Sequence, residues 1–135
     1  MPHRWPKWWE PHFIGFDDRP LGPFPQSMPL TKRSDVLVVP TPGHTPHHIS
    51  VVVCSSPSYF LAGDTSYNQR LLIEGKVDGV SPDEEVSRQT MLRIIVVAKQ
   101  QPLVYLPPHD PESEDRLVGN SPLEQTTELC RITHS

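Results

Sequence analysis

The chain has 135 residues, 36% of them hydrophobic, and a formal net charge of −4, which suits one domain with a modest core. The acidic balance excludes the basic footprint of a protein that grips nucleic acid or anionic lipid. Apolar runs such as Ile94 to Ala98 are far too short to cross a bilayer.

The opening MPHRWPKWW has no apolar core region and no small-residue cleavage site, so no secretory leader is expected. Cys54 and Cys130 cannot define a disulfide framework, and the expectation is a reduced, cytoplasmic protein. Residues 1–30 hold all three tryptophans, three of the four phenylalanines and seven of the 17 prolines. Proline at that density forbids a regular helix or central strand, while aromatics argue against a disordered tail. The expectation is an irregular arm lying on a surface, its aromatics serving as packing residues.

Regular patterning begins at Asp35. VLVVP (Val36 to Pro40) predicts a strand stopped by the P-T-P-G turn, ISVVVC (Ile49 to Cys54) a second, and YFLAG (Tyr59 to Gly63) a third. DTSYNQRLLIEG predicts a short helix closed by Gly75. The clearest helix is expected from Ser81, with Ser81 as N-cap, Pro82 at the first position and Glu84 completing a capping box. Its body runs to about Gln101, with Val86, Met91, Leu92, Ile95 and Val96 or Ala98 toward the core. LVYL (Leu103 to Leu106) is a fourth strand, halted by two prolines before His109. The last 25 residues are polar, with one weak helix around Leu123 to Cys130. The order gives an α/β or α+β layer with one sheet: an arm over 1–30, a folded unit over 31–118 and a tail over 119–135.

His44, Asp64 and His109 each fall immediately after a predicted strand. Singly each has a bland reading: a surface histidine, an aspartate capping the next helix, a loop residue. Of His47 and His48, at most one faces any given site, because neighbours on a strand point to opposite faces.

Together the pattern P-T-P-G-H-T-P-x-H, then A-G-D, then P-x-H-D resembles the second half of a metallo-β-lactamase-superfamily hydrolase, in the N-acyl homoserine lactonase-like branch, where D-x-S-Y follows the glycine. The resemblance covers roughly residues 30–117. It implies the C-terminal half of an αββα sandwich, with one mostly antiparallel sheet and flanking helices. It further implies a zinc-dependent hydrolase that attacks a lactone or related carbonyl with metal-bound hydroxide. His44 matches a ligand of one Zn2+, Asp64 the carboxylate bridging two, and His109 a ligand of the second. Tyr67 matches the tyrosine that hydrogen-bonds the substrate carbonyl oxygen; its plainer reading is a buried packing tyrosine. His48 matches a supporting position rather than a ligand.

Two departures qualify this. His47 stands where the family has glycine, at a cost if that position needs positive φ. The H-x-H-x-D-H motif of the first half is absent, which leaves each zinc two protein ligands where three or four are usual. Half of the sandwich is missing with it, so the sheet is expected to expose an apolar face. The expected partners are therefore a second copy of the chain or a separate N-terminal half. The alternative is a non-catalytic fragment or degenerate half-domain; a small histidine-based metal-binding or interaction module is the least supported reading.

Overall fold

A computed structural model describes residues 6–12, 15–77, 79 and 82–123. Five strands form one sheet in the order β1-β2-β3-β4-β5: β1 (Met28–Pro29), β2 (Val36–Pro40), β3 (Ile49–Val53), β4 (Ser58–Leu61) and β5 (Leu103–Leu106). The first four pair antiparallel and β5 joins β4 in parallel. A parallel partner needs a long crossover, and helices α1 (Gln69–Glu74) and α2 (Glu84–Gln100) supply it. A third helix, α3 (Ser113–Val118), follows β5. This is the expected α+β layer with a mostly antiparallel sheet.

Register explains why the strands are apolar on both faces. Leu37, Val52, Phe60 and Tyr105 are successive cross-strand partners, and all four are buried on the face that α2 covers. Met91, Ile94, Ile95, Val97 and Ala98 of α2 close over Val39, Val52, Phe60, Leu103 and Tyr105. On the other face Met28, Val38, Val51, Leu61 and Leu106 form the parallel row. There Val38 is buried, but Leu61 and Ile49 are each 43% exposed, at the strand ends nearest the site described below. Strands that are apolar on both faces suit burial on both sides.

Several local expectations change. The side chain of Asp83 caps α2, accepting from Val86 N–H at 3.2 Å, while Ser81 lies outside the described residues. A carboxylate there satisfies an orphan amide and complements the helix dipole. Leu92 is exposed; Ile94 and Val97 take the core stripe, and Val86 and Val96 are only partly buried. Strand β1 and helix α3 carry no strong pattern and were not anticipated. The helix expected from Leu123 to Cys130 lies outside the described residues except for Leu123, which is buried and donates its N–H to Leu103 O at 2.9 Å. In the proline-rich arm, Phe24 is fully buried in the core, whereas Trp8 is exposed.

Candidate metal centre

The β2–β3 connection is a tight loop over Thr41 to His48, closed by Thr41 N–H donating to His48 O at 2.9 Å. Within it Gly43 has φ of 151°, and a Cβ there would come within 2.9 Å of the Ser87 Cα on α2. Only glycine lets the turn lie this close to the helix. Thr90 Oγ1 of the same helix donates to Pro42 O at 2.6 Å, so α2 holds the turn from below. His44 leaves this loop toward the end of the sheet. His47 is exposed and is not among the residues with positive φ, so the strain considered for that position does not arise.

Asp64 follows β4 through Ala62 and Gly63. It does not cap α1; Asn68 does, accepting from Leu71 N–H at 2.8 Å. The Asp64 carboxylate instead stands between two imidazoles. Its Oδ2 lies 3.7 Å from His44 Nε2 and its Oδ1 lies 3.3 Å from His109 Nε2. Residues 20 and 45 positions apart in the sequence thus meet at neighbouring strand ends.

His48 supports this group from behind. Its Nε2 accepts the backbone N–H of Asp64 at 2.9 Å, so its proton sits on Nδ1, which faces Thr41 Oγ1 at 2.8 Å. Thr41 Oγ1 then donates to Ser50 Oγ at 2.8 Å, and Ser50 donates to Ala62 O at 3.0 Å. Each donor in this chain has one acceptor, and the chain returns to the backbone that carries Asp64. Burial holds the His48 pKa below its usual value despite the Asp64 charge, the Thr41 hydrogen bond opposing it as well. A neutral ring is what the Asp64 N–H contact needs. Gly63, with φ of 55°, makes room: a Cβ would fall 2.8 Å from His48 Nε2.

A second anchor fixes His109. Its neighbour Asp110 accepts from Gln69 N–H at 3.0 Å, from Glu112 N–H at 2.9 Å and from Arg116 Nη2 at 2.8 Å. Burial pushes the Asp110 carboxyl up, but these donors together carry it below the usual value. Arg116 Nε also donates to Tyr105 O at 3.1 Å, tying the loop back to β5. Under the Asp64 loop, Tyr105 OH meets Thr65 Oγ1 and Ser66 Oγ, each at 2.7 Å. Tyr67 is not a buried packing residue. It is 55% exposed and stacks on His109 with ring centroids 5.3 Å apart and planes 5° apart.

Sequence reasoning missed Thr41, Tyr105, Asp110 and Arg116 as supports. Arg116 carried a readable signal, being the one basic residue in the acidic run from Asp110 to Arg116. Two imidazoles and a carboxylate are the right donor chemistry for zinc. Among the described residues, however, no three His, Cys, Asp or Glu side chains gather closely enough to hold one ion. Each histidine takes its own carboxylate oxygen, so the donors form two pairs sharing Asp64. They fit zinc as part of its ligand set, not as the whole of it.

The chain's sequence matches no described protein family and no curated protein. Solved structures are similar to it. One is an N-acyl homoserine lactone hydrolase with the product N-hexanoyl-L-homoserine at its catalytic metal center; another is a mutant of B. thuringiensis AiiA with N-decanoyl-L-homoserine at its active site. Each shares 26% identity with a TM-score of 0.57, over 66% of this chain and 35% of the other. The fold is therefore a partial metallo-β-lactamase fold of the N-acyl homoserine lactonase kind. The chain spans about a third of the length of the structures it matches.

Proposed function

We propose that this chain is part of a zinc-dependent, lactonase-like hydrolase, carrying the part of its centre formed by His44, Asp64 and His109. The observation that carries this reading is the divided carboxylate: Asp64 presents one oxygen to each of two histidines that come from separate strand ends. His44 and Asp64 Oδ2 would hold one ion, His109 and Asp64 Oδ1 the other. Bound zinc supplies an activated water near neutral pH. Tyr67, exposed beside His109, directs its hydroxyl to a substrate carbonyl oxygen and stabilises charge developing there. His48 holds the Asp64 backbone, and the Asp110–Arg116 pair holds the His109 loop. Lactones or related small carbonyl compounds are the proposed substrates, by likeness to the neighbours' bound products.

The missing ligands must come from outside these residues. On the sheet face opposite α2 the exposed ends at Leu61 and Ile49, each 43% exposed, suit apolar surface brought by a separate N-terminal half or a second copy. Metal content tests the proposal. Zinc bound by the wild-type chain is lost in His44→Ala, Asp64→Ala and His109→Ala; full zinc content in Asp64→Ala would count heavily against it.

The second reading is a non-catalytic half-domain, favoured by there being only two donors for each ion where three or four are usual. It predicts no turnover of lactones, and hydrolysis by the purified chain alone would exclude it. Among the described residues no helix is long and apolar enough to cross a membrane. A cytoplasmic location is part of the proposal.

A further inference from the structure

Two buried polar atoms near the β2–β3 turn have no hydrogen-bond partner among the described residues: His44 Nδ1 and Ser87 Oγ. Ser87 is 4% exposed and lies against the turn, its Oγ only 2.4 Å from where a Cβ on Gly43 would stand. Gly43 is the residue before His44, so the Ser87 hydroxyl lies against the turn that carries His44. A buried hydroxyl and a buried ring nitrogen left unpaired are each costly, and a hydrogen bond between them relieves both.

We propose that Ser87 is the positioning residue of His44, its hydroxyl accepting the Nδ1–H of the imidazole after a turn of the seryl χ1 or across one water. Three observations support that assignment. His44 Nε2 stands 3.7 Å from Asp64 Oδ2, beyond hydrogen-bond reach, so the carboxylate does not claim a proton there. His48, four residues on, already gives its Nδ1–H to a hydroxyl, that of Thr41. Ser87 and Thr90 sit three residues apart on the same helix, and Thr90 already grips the turn at Pro42 O. With Nδ1 protonated, the Nε2 lone pair is free and turned toward Asp64, as a metal-binding imidazole requires. The consequence for zinc rests on the functional reading above; the hydrogen bond itself does not.

The test is long-range 1H–15N correlation spectroscopy of the metal-free chain with 15N-histidine, above the histidine pKa. His44 is assigned by its disappearance in His44→Gln. The expected wild-type result is His44 mainly in the Nδ1–H form, with that preference reduced at least fivefold in Ser87→Ala and His48 unchanged. His44 protonated mainly at Nε2 in the wild type overturns the inference without any variant, as does an unchanged ratio in Ser87→Ala. Thermal unfolding gives a second readout. An engaged hydroxyl lowers the midpoint of Ser87→Ala by about 4 °C, whereas a truly unpaired buried hydroxyl gives no loss or a gain, which contradicts the assignment. Titration with zinc alone is expected to show affinity about tenfold or more weaker in Ser87→Ala. A wild type that binds no zinc removes the functional reading while leaving the tautomer result to stand or fall alone.

Discussion

His48 Nε2 takes the backbone N–H of Asp64, so a histidine outside the His44–Asp64–His109 group sets the position of the carboxylate that stands between the other two. His48 is half-buried, and removing it strands the Asp64 N–H and takes away the donor that the Thr41 hydroxyl oxygen accepts. His48→Ala is expected to cost about 1–3 kcal/mol of stability and to weaken zinc binding about 10- to 100-fold. Urea unfolding and zinc titration measure the two effects. Unchanged zinc affinity would show that the relay does not position Asp64.

Gly63 and Gly75 both have left-handed φ, 55° and 65°. A Cβ on Gly75 meets nothing within 4 Å, whereas one on Gly63 meets His48 Nε2 at 2.8 Å. Gly75→Ala should therefore cost only the backbone strain, about 1–2 kcal/mol. Gly63→Ala adds displacement of His48 and is expected to lose more, along with zinc affinity. Equal losses in denaturant unfolding would contradict the packing account.

The Asp110 and Arg116 side chains are only 5% and 9% exposed, and they form a hydrogen-bonded ion pair. Arg116→Met leaves a buried carboxylate facing two backbone donors but no cation. A loss of about 3–5 kcal/mol is expected. Asp110→Asn combined with Arg116→Met should recover part of that loss, since the uncompensated charge is gone. A double variant as unstable as Arg116→Met would show that packing, not charge, dominates. Zinc affinity should fall with Arg116→Met through the loosened His109 loop.

Burial raises the Tyr105 pKa to about 12, with hydrogen bonds from Ser66 and Thr65 opposing. Its unfolded value is about 10. Between these values the folded chain keeps a proton that the unfolded chain has lost. Stability is therefore full below about pH 10 and falls as pH rises toward about 12, by about 2–3 kcal/mol in all. Tyr105→Phe removes this slope, although it also loses the Thr65 and Ser66 contacts. Comparison of urea midpoints for the two proteins across that pH range checks it; parallel curves would refute the assignment.

The strands β2 to β5 and the body of α2 were legible because their signals are local: runs of Val, Ile and Leu bounded by Pro and Gly. The placing of His44, Asp64 and His109 after strands was legible for the same reason. Their convergence was legible only through the family resemblance, since nothing local says that β4 and β5 are parallel neighbours, which is what brings Asp64 beside His109. Leu92 and Ile94 were misassigned because almost every position in the run Met91 to Ala98 is apolar, so periodicity alone could not choose the buried stripe. Strand β1 is two residues long and exists through pairing with Val38 and Leu37. Helix α3 is anchored largely by Arg116 rather than by an apolar face. The relay from His48 to Ala62 depends on threonine and serine hydroxyls, which sequence reads as ordinary strand-end residues.

The most direct test of the divided carboxylate is native mass spectrometry of the wild-type chain and Asp64→Ala, each with and without added zinc. The account predicts zinc in the wild type, in whatever oligomer completes the ligand set, and its loss in Asp64→Ala. A wild-type chain that takes up no zinc in any assembly, or an Asp64→Ala variant that keeps its full content, would contradict it.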